Sequence, residues 1–354
     1  PFTWKFIWAP LFDRFSFSMG RRRGWLIIFQ VLLLISIAMA GFLSPTSQIT
    51  IVALVSIVIA FFSASQDVVI DAYRRELLLD HELGLGNAIH VNAYKIASLI
   101  PGSLSLILAD IFAWDLVFLI TALFMLPGIA LTLLIKEPQF KTLPPRTLKE
   151  AVVEPFKEFK NRKGLKEALL ILLFIFLYKI GDSMATALAT PFYLELGFSM
   201  TEIGVIAKNA GLWPGIAGGL LGGVWMIKLG INRALWIFGI MQMFATLSFA
   251  WLASVGDNNL ILAITVGLEF FAAGLGTTAF IAYIAKTTNP KYTATQFALF
   301  TSLASVPRTL TNASTGYLVE FFGWYDFFIV CFLLAIPGML LLFKIAPWNQ
   351  SNAS

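Results

Sequence analysis

The sequence predicts an all-α polytopic membrane protein, and three observations carry that prediction. Of its 354 residues 58% are hydrophobic and 13% charged, with a mean hydropathy of +0.81; a soluble domain is about half apolar and a quarter charged. The apolar excess is concentrated in runs of about twenty residues, the length at which a helix crosses a hydrocarbon core. Of 25 Lys and Arg, 20 fall in alternate loops, as the positive-inside rule requires of a chain threaded back and forth through a bilayer.

The elements follow in order. Residues 1–12 read as the end of a spanning helix. The chain starts at Pro1, inside an apolar segment and without an initiator methionine, and is expected to be a fragment lacking one helix and part of the next. A polar loop at 13–24 precedes apolar runs at 25–43, 49–70, 87–109 and 114–135. A charged segment, 136–166, separates them from runs at 167–190, 201–227, 234–254, 259–285, 293–319 and 324–345, with a tail at 346–354. That makes ten complete spans and one partial one. Turn signals at Ser44-Pro45, Gly197, Gly256-Asp257-Asn258 and Asn289-Pro290 fall between the runs.

The basic loops are 13–24, 72–86, 136–166, 228–233 and 286–291, with Lys344; the intervening loops carry Asp110, Asp115, Glu195, Glu202, Asp257, Glu320 and Asp326 instead. The basic loops are therefore cytoplasmic. Orientation accounts for the net charge of +5, and nucleic acid is not an expected partner. Arg21-Arg22-Arg23 reads as topology and solubility. The single cysteine, Cys331, excludes an internal disulfide and reads as a buried thiol, and two histidines make no metal cluster. No GxxxxGK[ST] phosphate loop is present, which disfavours an ATP-driven pump.

An internal repeat joins the two sets of spans. Leu108, Asp110, Phe112, Trp114, Phe118, Pro127 and Gly128 are matched 210 residues later by Leu318, Glu320, Phe322, Trp324, Phe328, Pro337 and Gly338. Both copies have the same orientation, as in parallel repeats about an axis along the membrane normal. Asp13-Arg14 with Gly20-Arg21-Arg22-Arg23 resembles the loop between the second and third helices of major-facilitator transporters, and Gly223, Lys228, Gly230 and Arg233 resemble its second-half counterpart. The resemblance implies a major-facilitator fold of two six-helix halves, here lacking helix 1 and part of helix 2. Residues 1–135 form the first half, 136–166 the central cytoplasmic linker and 167–345 the second half. It assigns Asp13, Arg14, Arg21 and Arg233 to a cytoplasmic gate.

Polar residues inside the spans carry the functional argument, because a charge at the bilayer centre costs about 2.5–3.5 kcal/mol on insertion scales. The span at 49–70 ends in Ser65-Gln66-Asp67 and continues to Asp71, on the same helix face as Asp67. Asp67 is the deeper and favours function. Asp71 reads equally as transport chemistry or as a surface ion pair with Arg74 or Arg75, and falls to the gate with Arg74. His90, Asn92, Tyr94 and Lys95 lie on the next span. Lys179 and Asp182 can pair on the span at 167–190, either as a structural pair or as a proton-dependent latch. Lys208-Asn209, Glu269, Gln296, Arg308 and Asn312 complete the set. Asp67, Asp182 and Glu269 are candidates for proton coupling.

Ala64-Ser65-Gln66-Asp67 with Asp71-Ala72-Tyr73, Leu177 to Asp182, Gly274 to Phe280, and Thr293 to Leu299 together resemble AmpG-type muropeptide permeases across nearly all of 1–345. Ala93-Tyr94-Lys95 departs from the glycine-tyrosine-arginine pattern expected there, which keeps the charge but loses bidentate geometry. The extra C-terminal helices of some members are expected to be missing. The resemblance implies a bacterial inner-membrane symporter, without a cofactor, driven by the proton gradient; a monomer is expected. It would import GlcNAc-1,6-anhydro-MurNAc peptides for peptidoglycan recycling and feed β-lactamase induction. Gln66, Asn92, Asn209 and Gln296 suit sugar hydroxyls, Tyr94 and Tyr178 suit sugar rings, and Lys95, Lys179, Lys208 and Arg308 suit peptide carboxylates. Two other readings stay open: a transporter of acetyl-CoA or another large organic anion, and a non-transporting membrane sensor or scaffold that docks partners on 136–166.

Overall fold

The computed structural model describes residues 1–138, 145 and 147–349; the side chains of Lys163, Arg308, Leu310, Thr311 and Asn312 lie outside the described residues. The described chain is helical, with a single isolated bridge between Phe17 and Gly20. In order its α-helices are α1 (Ala9–Arg14), α2 (Arg21–Ala40), α3 (Ile49–Leu77), α4 (Leu83–Ala97), α5 (Ser105–Ala109), α6 (Trp114–Leu123) and α7 (Met125–Leu134). They continue with α8 (Leu148–Leu177), α9 (Ile180–Ala187), α10 (Ala189–Glu195), α11 (Met200–Glu202), α12 (Lys208–Ala245), α13 (Leu247–Val255), α14 (Asn259–Thr287) and α15 (Thr293–Ile345).

Eight of the described helical segments are long and apolar enough to cross a membrane, against ten spans expected from the sequence. The difference lies in how the last spans join. Met200–Val255 is one segment of 56 residues, twice a bilayer crossing, and takes in both 201–227 and 234–254. It is interrupted at Gly230, where φ is +72°. The 53-residue α15 joins the last two expected spans in the same way and is interrupted at Gly323, where φ is +73°. Both glycines sit in the left-handed region that a Cβ penalises.

The expected turns are where the chain breaks. Gly197 and Gly256 adopt φ of +103° and +85°. Asn258 Oδ1 accepts from the N–H of Leu260 and Ile261 and so closes the start of α14. Ser199 and Glu202 form a reciprocal capping box at α11.

The chain divides into two compact units. The first comprises 1–79, 96–159 and 288–302. Here α2 packs on α3, α6 and α7, around a core of Phe12, Leu26, Phe29, Val68 and Val69 with Ala294 and Ala298. The second comprises 80–95, 160–287 and 303–354. Its dominant contact is α12 against α14, and an aromatic core stacks Phe249 on Phe328 with Phe192 edge-on. The close approach of α12 and α14 depends on small residues: a Cβ on Gly218 would fall on the Phe271 carbonyl.

Candidate functional site

Two polar centres stand out, one in each unit. In the first unit, α3 runs from the exposed and half-buried, largely apolar residues 49–62 into a polar stretch. Trp8 Nε1 donates to Ser65 Oγ at 2.9 Å. The buried Lys5 ammonium forms an ion pair with the half-buried Asp67 carboxylate. One turn on, Asp71 accepts from Arg74 Nη2 at 2.7 Å. Gln66 is half-buried, and among the described residues its Oε1 has no hydrogen-bond partner.

The arginine loop of the same unit is a buried network. Arg22 Nη2 donates to Asp13 Oδ1 at 2.8 Å, Arg22 Nη1 to the Phe12 carbonyl at 2.8 Å, and Arg22 Nε to both Glu76 oxygens at 3.0 and 3.1 Å. Arg21 also pairs with Asp13, at 2.9 Å. Arg21 and Arg22 are thus interior groups, which corrects the reading of these two as charges for solubility, while Arg23 is half-buried. A guanidinium satisfies several acceptors in fixed geometry, as this site demands.

The same network closes two helix starts. The Glu137 carboxylate accepts from Arg22 N at 2.7 Å and Arg23 N at 3.0 Å, where the preceding Gly20 has no side chain to cap α2. Asp13 accepts from Thr295 N at 2.8 Å and Thr295 Oγ1 at 2.7 Å at the start of α15. Carboxylates satisfy the free N–H groups of a helix start and oppose its dipole. Asp13 lies outside the spans. Burial pushes its carboxyl up, but Arg22 and Arg21 outweigh burial and hold it below its ordinary value of 3.8.

In the second unit the helix entering at 164 is broken. α8 ends at Leu177, Lys179 leaves helical geometry (φ −106°, ψ 5°), and α9 starts at Ile180. Discontinuous helices place exposed backbone and side chains at ligand sites in secondary transporters. Lys179 Nζ lies 2.9 Å from Asp182 Oδ2. Glu269, fully buried on α14, lies within hydrogen-bond reach of the Asp182 carboxyl. Gln242 on α12 faces Asp182 as well. Lys95 donates to the Gly215 carbonyl at 2.8 Å and lies near enough to Lys179 to feel its charge. Asp182 and Gln242 line a cavity with Tyr178, Thr246 and Met339, with about 10 Å³ open to water centres, room for about one molecule.

The remaining expected residues scatter. Asn92 is buried, its Nδ2 donating to the Ala88 carbonyl at 2.8 Å. Tyr94 is 72% exposed. Lys208 and Asn209 are exposed, and Asn209 donates to the Val205 carbonyl. Arg14 lies over the Phe15 ring. Arg233 donates to the Trp348 carbonyl at 3.3 Å and so holds the start of the tail. The side chain of Arg308 lies outside the described residues.

Two expected substrate contacts have other partners. Tyr178 is stacked on Phe280 at 5.4 Å and tilted against Phe174 at 4.9 Å, and its hydroxyl donates to the Leu235 carbonyl. Gln296 donates to Glu158 Oε2 at 2.7 Å and to the Pro155 carbonyl at 2.9 Å, and accepts from Asn289 N at 2.8 Å. Its amide fastens the linker helix. Lys5, Glu76, Glu137 and Gln242 were not singled out in the sequence. Only Lys5, a lone cation in an apolar run, carried a signal that would have found it.

Long apolar helices, a broken helix and buried ion pairs within the spans define a polytopic membrane protein of the secondary-transporter class. The Major Facilitator Superfamily pattern matches residues 3–312. An uncharacterised protein of Haemophilus influenzae is 50% identical, the match covering 99% of this chain and 85% of that one. The anhydromuropeptide permease of Escherichia coli is 41% identical over 96% of this chain and 70% of its own length. The structure also superimposes on the E. coli fucose:proton symporter FucP with a TM-score of 0.72 at 12% identity, covering 99% of this chain and 92% of that one; this likeness is one of fold. The chain belongs to the major facilitator superfamily and, within it, to the AmpG-type permeases.

Proposed function

We propose that the protein imports GlcNAc-1,6-anhydro-MurNAc and its peptides from periplasm to cytoplasm, across a bacterial inner membrane, together with protons. The carrying observation is the 41% identity, over 96% of the chain, with the E. coli anhydromuropeptide permease. The imported muropeptides serve peptidoglycan recycling and, where that circuit exists, β-lactamase induction. The working unit is a monomer of two halves, 1–135 and 167–345, joined by the linker 136–166, with the basic loops in the cytoplasm.

Side-chain chemistry supports the assignment. Lys95 and Lys179 lie close together in the second unit, and two neighbouring ammonium groups suit peptide carboxylates. Gln66 and Asn92, whose Oε1 and Oδ1 are unpartnered among the described residues, suit sugar hydroxyls. The exposed Tyr94 offers a ring for stacking, and Lys208, Asn209 and Arg308 extend the polar set. Asp67, Asp182 and Glu269 are the proton-coupling carboxyls. Asp13, Arg14, Arg21, Asp71, Arg74 and Arg233 belong to the gate.

The test is uptake by the purified protein in liposomes. An inward proton gradient should concentrate labelled GlcNAc-1,6-anhydro-MurNAc, unlabelled muropeptide should compete, and acetyl-CoA should not. Uptake indifferent to the gradient rejects symport; competition by acetyl-CoA rejects the substrate.

A further inference from the structure

We infer that Asp182 and Glu269 hold one proton between them, that Glu269 is its carrier, and that Gln242 is the positioning residue of the pair. The inference deepens the symport reading above and rests on it for the coupling of that proton to substrate movement.

Three observations carry it. Glu269 is fully buried, and among the described residues neither of its oxygens has a hydrogen-bond donor. What lies within hydrogen-bond reach is another carboxyl, that of Asp182. Two ionised carboxylates in contact present only acceptors to each other, and in an apolar interior their repulsion is not offset by water. A proton between them turns the clash into an O–H···O⁻ hydrogen bond, the arrangement by which paired carboxyls share one proton.

The cation decides which oxygen carries it. Lys179 lies 2.9 Å from Asp182, so Asp182 is the ionised partner and Glu269 the protonated one. The other titratable groups near Glu269 are Tyr193 and Cys331, and Tyr178 lies near Asp182; Lys95, near Lys179, is the next cation. The triad of Lys179, Asp182 and protonated Glu269 is then neutral. Loss of the proton leaves two carboxylates against one ammonium, a state that favours rearrangement of the broken helix.

Gln242 supplies the positioning. Its Oε1 occupies the space a Cβ on Gly276 would take. That contact pins the amide beside Asp182, with Nε2 lacking a partner of hydrogen-bond geometry among the described residues. The water-sized cavity lined by Asp182 and Gln242 puts space for a water beside the shared proton. It is taken from water on one side of the membrane and returned to water on the other, and only O–H bonds are made and broken.

The test is infrared spectroscopy of the full chain in liposomes at neutral pH, paired with transport. The wild type should show a protonated-carboxyl C=O band that is lost in Glu269→Gln and kept in Asp67→Asn. Asp182→Asn, a second probe should Glu269→Gln not fold, should shift the band frequency by altering its hydrogen-bond partner. Gln242→Leu should move the pH at which the band disappears. Glu269→Gln should lose gradient-driven accumulation of labelled GlcNAc-1,6-anhydro-MurNAc while keeping exchange of labelled for unlabelled sugar. A band that survives Glu269→Gln, or one unmoved by Asp182→Asn, overturns the inference. A wild type that neither accumulates nor exchanges this sugar, yet loses its band in Glu269→Gln, leaves the proton pair standing and rejects the substrate reading alone.

Discussion

Lys5 Nζ meets Asp67 Oδ2 in an ion pair that spans 62 residues of sequence. The ammonium is buried and the carboxylate half-exposed, so the pair sits at an edge of the first unit's packing. Removing one partner of a buried pair strands the other, whereas removing both is close to neutral.

Lys5→Met is therefore expected to destabilise the protein by about 1–3 kcal/mol, reduced from the fully buried case by the exposure of Asp67. Lys5→Met with Asp67→Asn should recover most of that loss. Thermal unfolding of the single and double variants checks it. Equal losses in both would show that the stranded Asp67 charge is not the source of the destabilisation.

Arg22 should resist conservative replacement. Its guanidinium serves Asp13, the Phe12 carbonyl and Glu76 together, and a lysine cannot reproduce that fork. Arg22→Lys is expected to cost about 2–4 kcal/mol. Arg23→Lys should cost about 1 kcal/mol, because Arg23 donates to the carbonyls of Thr132 and Leu133 at the partly solvated end of α7. Melting temperatures of the two variants separate these roles.

Asp13 predicts a pH dependence. Its folded value lies below its ordinary 3.8, so its ionised form is favoured by folding. That stabilisation is complete above the ordinary value and is lost as pH falls through the folded one. Asp13→Asn should lower the melting temperature at neutral pH and flatten its decline below about pH 4. A variant whose acid limb matches the wild type would exclude Asp13 as the source.

The spans are legible because apolar length is a local signal, and the polar stretch Lys228 to Arg233 marks the break at Gly230 from sequence alone. Partnership is not local. Asp67 stood out as a charge closing an apolar run, yet nothing nearby names Lys5. Gln296 resembles a substrate contact for the same reason, since an amide in a span needs an acceptor, and its acceptor, Glu158, is 138 residues away in the linker. Tyr178 suits a sugar ring as well as it suits Phe280, and composition cannot rank the two. The helix joins were obscured differently: Gly230 and Gly323 take a left-handed φ that leaves no trace in hydropathy.

Those joins are testable. Gly230→Ala and Gly323→Ala force a Cβ into φ of +72° and +73°, at a cost of about 1–2 kcal/mol each. With ψ of +163° and +167° both sites lie in the region that only glycine enters readily, so asparagine should cost as much as alanine at either site. Thermal unfolding ranks the three residues, and alanine as good as glycine would mean the breaks relax into continuous helix.

Gln296 should control the linker helix. Its amide donates to Glu158 and Pro155, Asn289 Nδ2 reaches the second Glu158 oxygen at 2.7 Å, and Phe159 packs edge-on against Phe300. Hydrogen bonds to a charged acceptor contribute about 1.5–3 kcal/mol, so Gln296→Leu should raise amide hydrogen exchange across residues 148–162 about tenfold or more. Lys157→Ala is the control on the same helix. It removes an exposed pair with Glu154 at 3.3 Å, a type of contact that contributes about 0.5 kcal/mol, and should change exchange about twofold at most. If Gln296→Leu and Lys157→Ala behave alike, the linker is held by Phe159 and its apolar neighbours, and the Gln296 amide is free to serve another partner.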